Sequence, residues 1–166
     1  MKIIFLAIIA FIFLLLQVLA LGPLSIGEIS PDFTLLLCAF LALYRGPVQG
    51  SIFGFIIGFI QDLFNPTMLG LNAFTKTLVG FAGGHVGQKA FPENAIFFAA
   101  IFFIAALGHD IVYLLFFTGL HLGRFFVILF TVALPSAVYT AIIGTVIHQL
   151  LQLVDSRMVR SIGKER

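Results

Sequence analysis

Lys76 and Asp110 are the two charged residues set deepest within the long apolar runs of this sequence. An ionisable group at the centre of a membrane span costs at least about 3 kcal/mol on insertion scales unless it is paired or hydrated, so each needs a partner. At about 1.5 Å of helix rise per residue, Lys76 lies roughly 12 Å from the outer end of its run and Asp110 roughly 10 Å from the outer end of the next. The matched depths predict that the two pair inside a helical bundle, with Asn72, His109 and Tyr113 as polar neighbours. Such a pair is either a structural salt bridge or, on a sharper reading, part of a proton or cation relay. Asp62 and Asn65 belong to a polar turn over 62–67, and both side chains are of the kind that hydrogen-bond neighbouring backbone.

Other chemistry finds little support. His85 and His148 fall near the inner face, His109 in the outer half and His121 in an outer loop, so no two share a helix at ligand spacing and neither haem nor metal is expected. The single cysteine, Cys38, lies inside an apolar run and can build neither a disulfide framework nor a thiolate cluster within one chain. Phosphate-binding loops, nucleophile elbows and zinc-protease signatures are missing from the sequence. The reading is therefore of a protein with no catalytic residue, no cofactor and no nucleic-acid partner. The 21 phenylalanines are read as lipid-facing or core-filling.

The elements that must carry these residues follow from composition. The chain of 166 residues is 61% hydrophobic and 10% charged, with a mean hydropathy of +1.17, which a water-soluble domain could not sustain without large exposed apolar patches. A span takes roughly 20 apolar residues. The sequence predicts an all-α integral membrane protein, a single compact bundle of about six transmembrane helices, over 3–21, 32–44, 47–61, 68–86, 95–117 and 125–151. The second and third are short, and Arg45-Gly46-Pro47 breaks the helix between them, so they are thin-membrane helices or a re-entrant pair. Pro135 predicts a kink in the last span. Lys2, Arg45, Lys89, Arg157, Arg160, Lys164 and Arg166 fall on one side and Arg124 alone on the other, a bias of seven to one that places both termini in the cytoplasm.

The most regular pattern is the series Gly46, Gly50, Gly54 and Gly58, continued at the same interval by Asp62. Residues four apart in a helix drift by only about 40°, so the glycines form a slowly turning face without side chains. Gly80 and Gly84, with Gly83 and Gly87, make a second such face on the fourth span. Faces of this kind let membrane helices approach closely, either within one chain or against a partner.

Several of these residues together resemble a known family. Pro31-Asp32-Phe33 entering the second span, Arg45-Gly46, the stepped glycines up to Gly58-Phe59-Ile60-Gln61-Asp62, and Leu69-Gly70-Leu71 opening the fourth span are similar to the bacterial rod shape-determining protein MreD. The resemblance is densest from about Pro31 to Gly84. It implies a non-enzymatic component of the cell-elongation machinery in the inner membrane. The implied partners are a bitopic MreC-like protein, MreB-like filaments and elongation-specific peptidoglycan synthases. It also implies a fold similar to the substrate-binding subunits of energy-coupling-factor transporters, which supplies the alternative function, binding of a small solute from outside.

Overall fold

A computed structural model describes residue 17 and residues 25–64, 68–89 and 94–162. Most of the expected first span, 3–21, and Asn65 in the polar turn lie outside these residues. The helices are α1 (Phe33–Arg45), α2 (Pro47–Phe64), α3 (Leu71–Lys89), α4 (Ala95–Phe117), α5 (Leu122–Ile128) and α6 (Leu134–Ile162), and a π-helical turn over Leu129–Ala133 joins the last two. Among the described residues there is no strand beyond one bridge between Ile26 and Ile29, which closes a turn containing Gly27 at a φ of 66°.

α1 is the hub. Asp32 caps its start, accepting the Leu35 N–H at 2.7 Å, which satisfies a donor that the first turn would leave orphaned. Its end is set by Gly46, whose φ of 88° turns the chain while its N–H bonds the Ala42 carbonyl. Pro47 then opens α2, where its missing N–H costs nothing. Ten of the 13 residues of α1 are buried, because α2, α3, α4 and α6 all pack against it. A helix that is apolar all round suits such a position, as it also suits lipid. Leu36, Ala39, Phe40 and Leu43 meet Phe98 and Phe102 of α4 and Ala141 of α6 in the main apolar core.

The tightest contact joins α2 and α3. A Cβ on Gly50 would strike the Gly80 carbonyl and Ala42, one on Gly54 the Lys76 backbone, and one on Gly58 the backbone of Asn72 and Ala73. In return, Gly80 meets Gly50, and Gly84 meets Gly46 and Pro47. Gly80 and Gly84 therefore lie against the first glycine face, while Gly83 and Gly87 meet Ala42 and Leu43 of α1, and the packing they serve is internal to the chain.

Helices Pro47–Phe64, Ala95–Phe117 and Leu122–Leu150 are long and apolar enough to cross a membrane, and Phe33–Arg45 is a shorter apolar helix. The expected span 68–86 is realised as Leu71–Lys89, which does not join that group. Asn72, Thr75 and Lys76 lower its hydropathy, and all three are buried against neighbouring helices. The expected span 125–151 begins earlier, at Leu122, and its helix runs on to Ile162. In place of a simple kink, the π-helical turn ends just before Pro135. The proline ring collides with the carbonyl four residues back, that of Thr131, and widening the turn relieves the collision. Large apolar side chains such as Ile104, Phe130 and Ile142 stand outward on α4, the π turn and α6, as lipid contact requires.

Candidate functional site

The buried charges gather where α1 begins. Asp32 is held by its own helix: Oδ1 accepts from Leu35 N and from the Thr34 hydroxyl at 2.6 Å, and its backbone N–H donates to Thr140 Oγ1 of α6 at 3.1 Å. That leaves Oδ2 facing α3, where Lys76 Nζ donates to it at 2.8 Å. The Lys76 side chain is fully buried. A buried charge is tolerable only when paired and hydrogen-bonded, and Lys76 has a second contact, to His109 Nε2 of α4 at 3.2 Å. His109 Nδ1 lies 3.0 Å from Asp110 Oδ1.

The expected direct pair between Lys76 and Asp110 is thus replaced by a chain: Asp32, Lys76, His109, Asp110. The reason is geometric. Adjacent residues on a helix point about 100° apart, so when His109 faces the bundle, Asp110 turns aside and reaches Lys76 only through the imidazole. An ammonium has no lone pair, so His109 Nε2 accepts from Lys76, and the ring proton sits on Nδ1, directed at Asp110. The chain ties α1, α3 and α4 together at one level. Tyr113 stacks on His109 with ring centroids 6.0 Å apart.

Asp62 and Asn72 form a second, separate cluster. Asp62 sits in the last turn of α2, fully buried, and accepts four hydrogen bonds from α3 and the turn before it. Oδ1 takes the Asn72 N–H at 3.1 Å and Asn72 Nδ2 at 2.9 Å, while Oδ2 takes the Gly70 and Ala73 N–H groups at 3.0 Å each. A carboxylate supplied by one helix thereby caps the positive N-terminus of the next.

Some participants were not singled out from the sequence. Asp32 reads as a loop acid beside Glu28, yet an aspartate directly before an apolar run is a helix-start signal that marks it as a cap. Thr34, Gln61 and Thr140 support it, with Gln61 Oε1 at 3.0 Å from the Thr34 hydroxyl. Gln17 accepts the Phe33 N–H at 2.8 Å. Nothing in sequence spacing marks these residues. His148 lies apart, buried with both ring nitrogens unpartnered and its ring stacked on Phe98 at 3.5 Å. Among the described residues no group of three or more His, Cys, Asp or Glu side chains is arranged to hold a metal ion.

Apolar helices turned outward around a centre of paired charges define a membrane-helical protein. The chain belongs to the family of rod shape-determining protein MreD, matching it over residues 1–158. No curated protein and no solved structure matches the chain. Membership gives it a role in rod shape determination, and the likeness to transporter subunits remains an expectation of the sequence reading.

Proposed function

We propose that this chain is a non-enzymatic scaffold of the bacterial cell-elongation complex, a multi-pass protein of the inner membrane with both termini in the cytoplasm. It binds an MreC-like bitopic protein and through it connects MreB-like filaments with the synthases that extend the peptidoglycan. Family membership supports the cellular role. The observation that carries the scaffold reading is the α1–α2–α3 unit, glycine-packed along its length and tied to α4 by the buried charge chain. Such a body holds its outer faces in fixed register for a neighbour. With the face of Gly50, Gly54 and Gly58 already filled by α3, a partner helix has to bind elsewhere.

Co-purification in mild detergent tests the proposal. Recovery of a bitopic protein with a large extracytoplasmic region, in stable ratio with this chain, is the expected result. Recovery of an ATPase and its coupling subunit would instead favour a solute-binding transporter subunit. The feature on the side of that second reading is a partly polar cavity beside Asp32 and Asp110, of about 210 Å³.

A further inference from the structure

The joint between α3 and α4 depends on one nitrogen lone pair. Among the described residues a single hydrogen bond links the two helices, from Lys76 Nζ to His109 Nε2 at 3.2 Å. Their other meeting points are apolar, with Val79 and Ala106 in one cluster and the Phe74 and Phe116 rings edge to face, centroids 6.2 Å apart. Elsewhere they stand apart around an apolar cavity of about 520 Å³, walled by Leu78 and Val86 of α3 and by Ile101 and Ile104 of α4. α2 and α3, by contrast, touch backbone to backbone. His109 holds Lys76 only while neutral, because an ammonium offers donors alone and an imidazolium donates from both nitrogens. A proton on Nε2 would set two cations 3.2 Å apart with nothing between them to accept.

Each cation already has another partner. Lys76 keeps Asp32 Oδ2 at 2.8 Å, and the imidazolium keeps Asp110 Oδ1 at 3.0 Å, a bond that strengthens when both groups are charged. One proton thus turns the chain into two separate ion pairs, one joining α1 with α3 and the other closed within α4. The remaining neighbours do not oppose it. Tyr113 of α4 stacks on the ring, α6 offers the hydroxyls of Ser136 and Thr140, and Asp62 of α2 is engaged by its own four donors. Asp110, about one-quarter exposed, opens onto the cavity that Glu28 also lines, and gives the proton a way in. We propose that His109 is a proton-operated latch. Neutral, it fastens α4 to the glycine-packed unit of α1, α2 and α3; protonated, it releases Lys76 and lets the cavity between α3 and α4 widen. The latch belongs to the fold and stands whether or not the scaffold reading does.

Two measurements on the full chain in mild detergent test the latch. Nuclear magnetic resonance of isotope-labelled histidine nitrogens separates a bare ring nitrogen from a protonated one. The His109 ring should show a bare Nε2 at about pH 8 and two protonated nitrogens at about pH 5, the range in which histidine changes charge. Its signals are those lost in His109→Gln; should that variant fail to fold, replacing His85, His121 and His148 singly assigns them by elimination. Movement is read from nitroxide labels on Leu78→Cys and Ile104→Cys, both exposed on the cavity walls, with the native Cys38 fully buried. The distance between labels should lengthen at the lower pH by about 1–2 Å, the scale of helix shifts in switching proteins. In folded His109→Gln, whose amide stays neutral, the distance should be the same at both pH values. A bare Nε2 at the lower pH, an unchanged label distance in the parent, or a change that persists in folded His109→Gln overturns the latch.

Discussion

At the scale of single residues, the protein depends on charges that cannot be removed singly. Lys76→Met leaves the Asp32 carboxylate without its counter-ion, and breaking a buried pair in this way costs about 3–5 kcal/mol. Melting of the detergent-solubilised protein should show that loss, and the double variant Lys76→Met, Asp32→Asn should regain part of it, because the orphaned charge is gone. A double variant as unstable as the single one would mean that Lys76 matters for something other than the pair. Asp62→Ala removes four hydrogen bonds at once and should cost at least about 3 kcal/mol. Amide exchange that quickens first at Gly70, Asn72 and Ala73 is the local signature expected. Sequence reasoning singled out Lys76, His109, Asp110, Asn72 and Asp62 because polar and ionisable groups within or beside apolar runs are conspicuous. It missed that Asp32 outcompetes Asp110 for Lys76, because which of two acids meets a lysine depends on helix rotation, and rotation is not written in spacing along one chain.

At the scale of elements, glycines of identical type carry opposite consequences. Gly54→Ala puts a methyl into the Lys76 backbone and must push α2 off α3, so the folded yield should fall sharply. Gly108→Ala on α4 meets no atom within 4 Å and should leave melting unchanged or raise stability by up to about 1 kcal/mol, since alanine loses less backbone entropy in a helix. If the two variants melted alike, close backbone contact would not be what joins α2 to α3. The four-residue period made the α2 stripe visible in the sequence, and the match of its partner face, Gly80 and Gly84, was visible too. That each is the other's partner was left open, because small-residue faces look the same whether they meet at home or abroad. The π turn before Pro135 was legible only as a disturbance: proline announces a missing donor, while the neighbouring helices decide how the backbone accommodates it.

At the scale of the whole molecule, the family assigns the protein to rod shape determination, and that role sets the physiological test. Cells depleted of the chain should round up. A copy carrying Gly54→Leu should fail to restore rods, whereas Gly123→Ala, which no neighbouring atom crowds, should restore them fully. Rescue by Gly54→Leu at normal membrane abundance would separate the α2–α3 contact from function. Overall helicity and the membrane class were legible from composition alone, because hydropathy acts residue by residue. The burial of α1 was not, since it arises from neighbours far away in sequence.

The brevity of α1 has a consequence for how the protein enters the bilayer. Thirteen residues between Asp32 and Gly46 are too few to partition as an independent stop. On the proposed multi-pass reading, the segment enters as a hairpin with α2, folded at Arg45-Gly46-Pro47. On that reading the acid at the head of the hairpin is without its cation until α3 arrives with Lys76, so the first half of the polypeptide is expected to stay provisional until residue 76 is delivered.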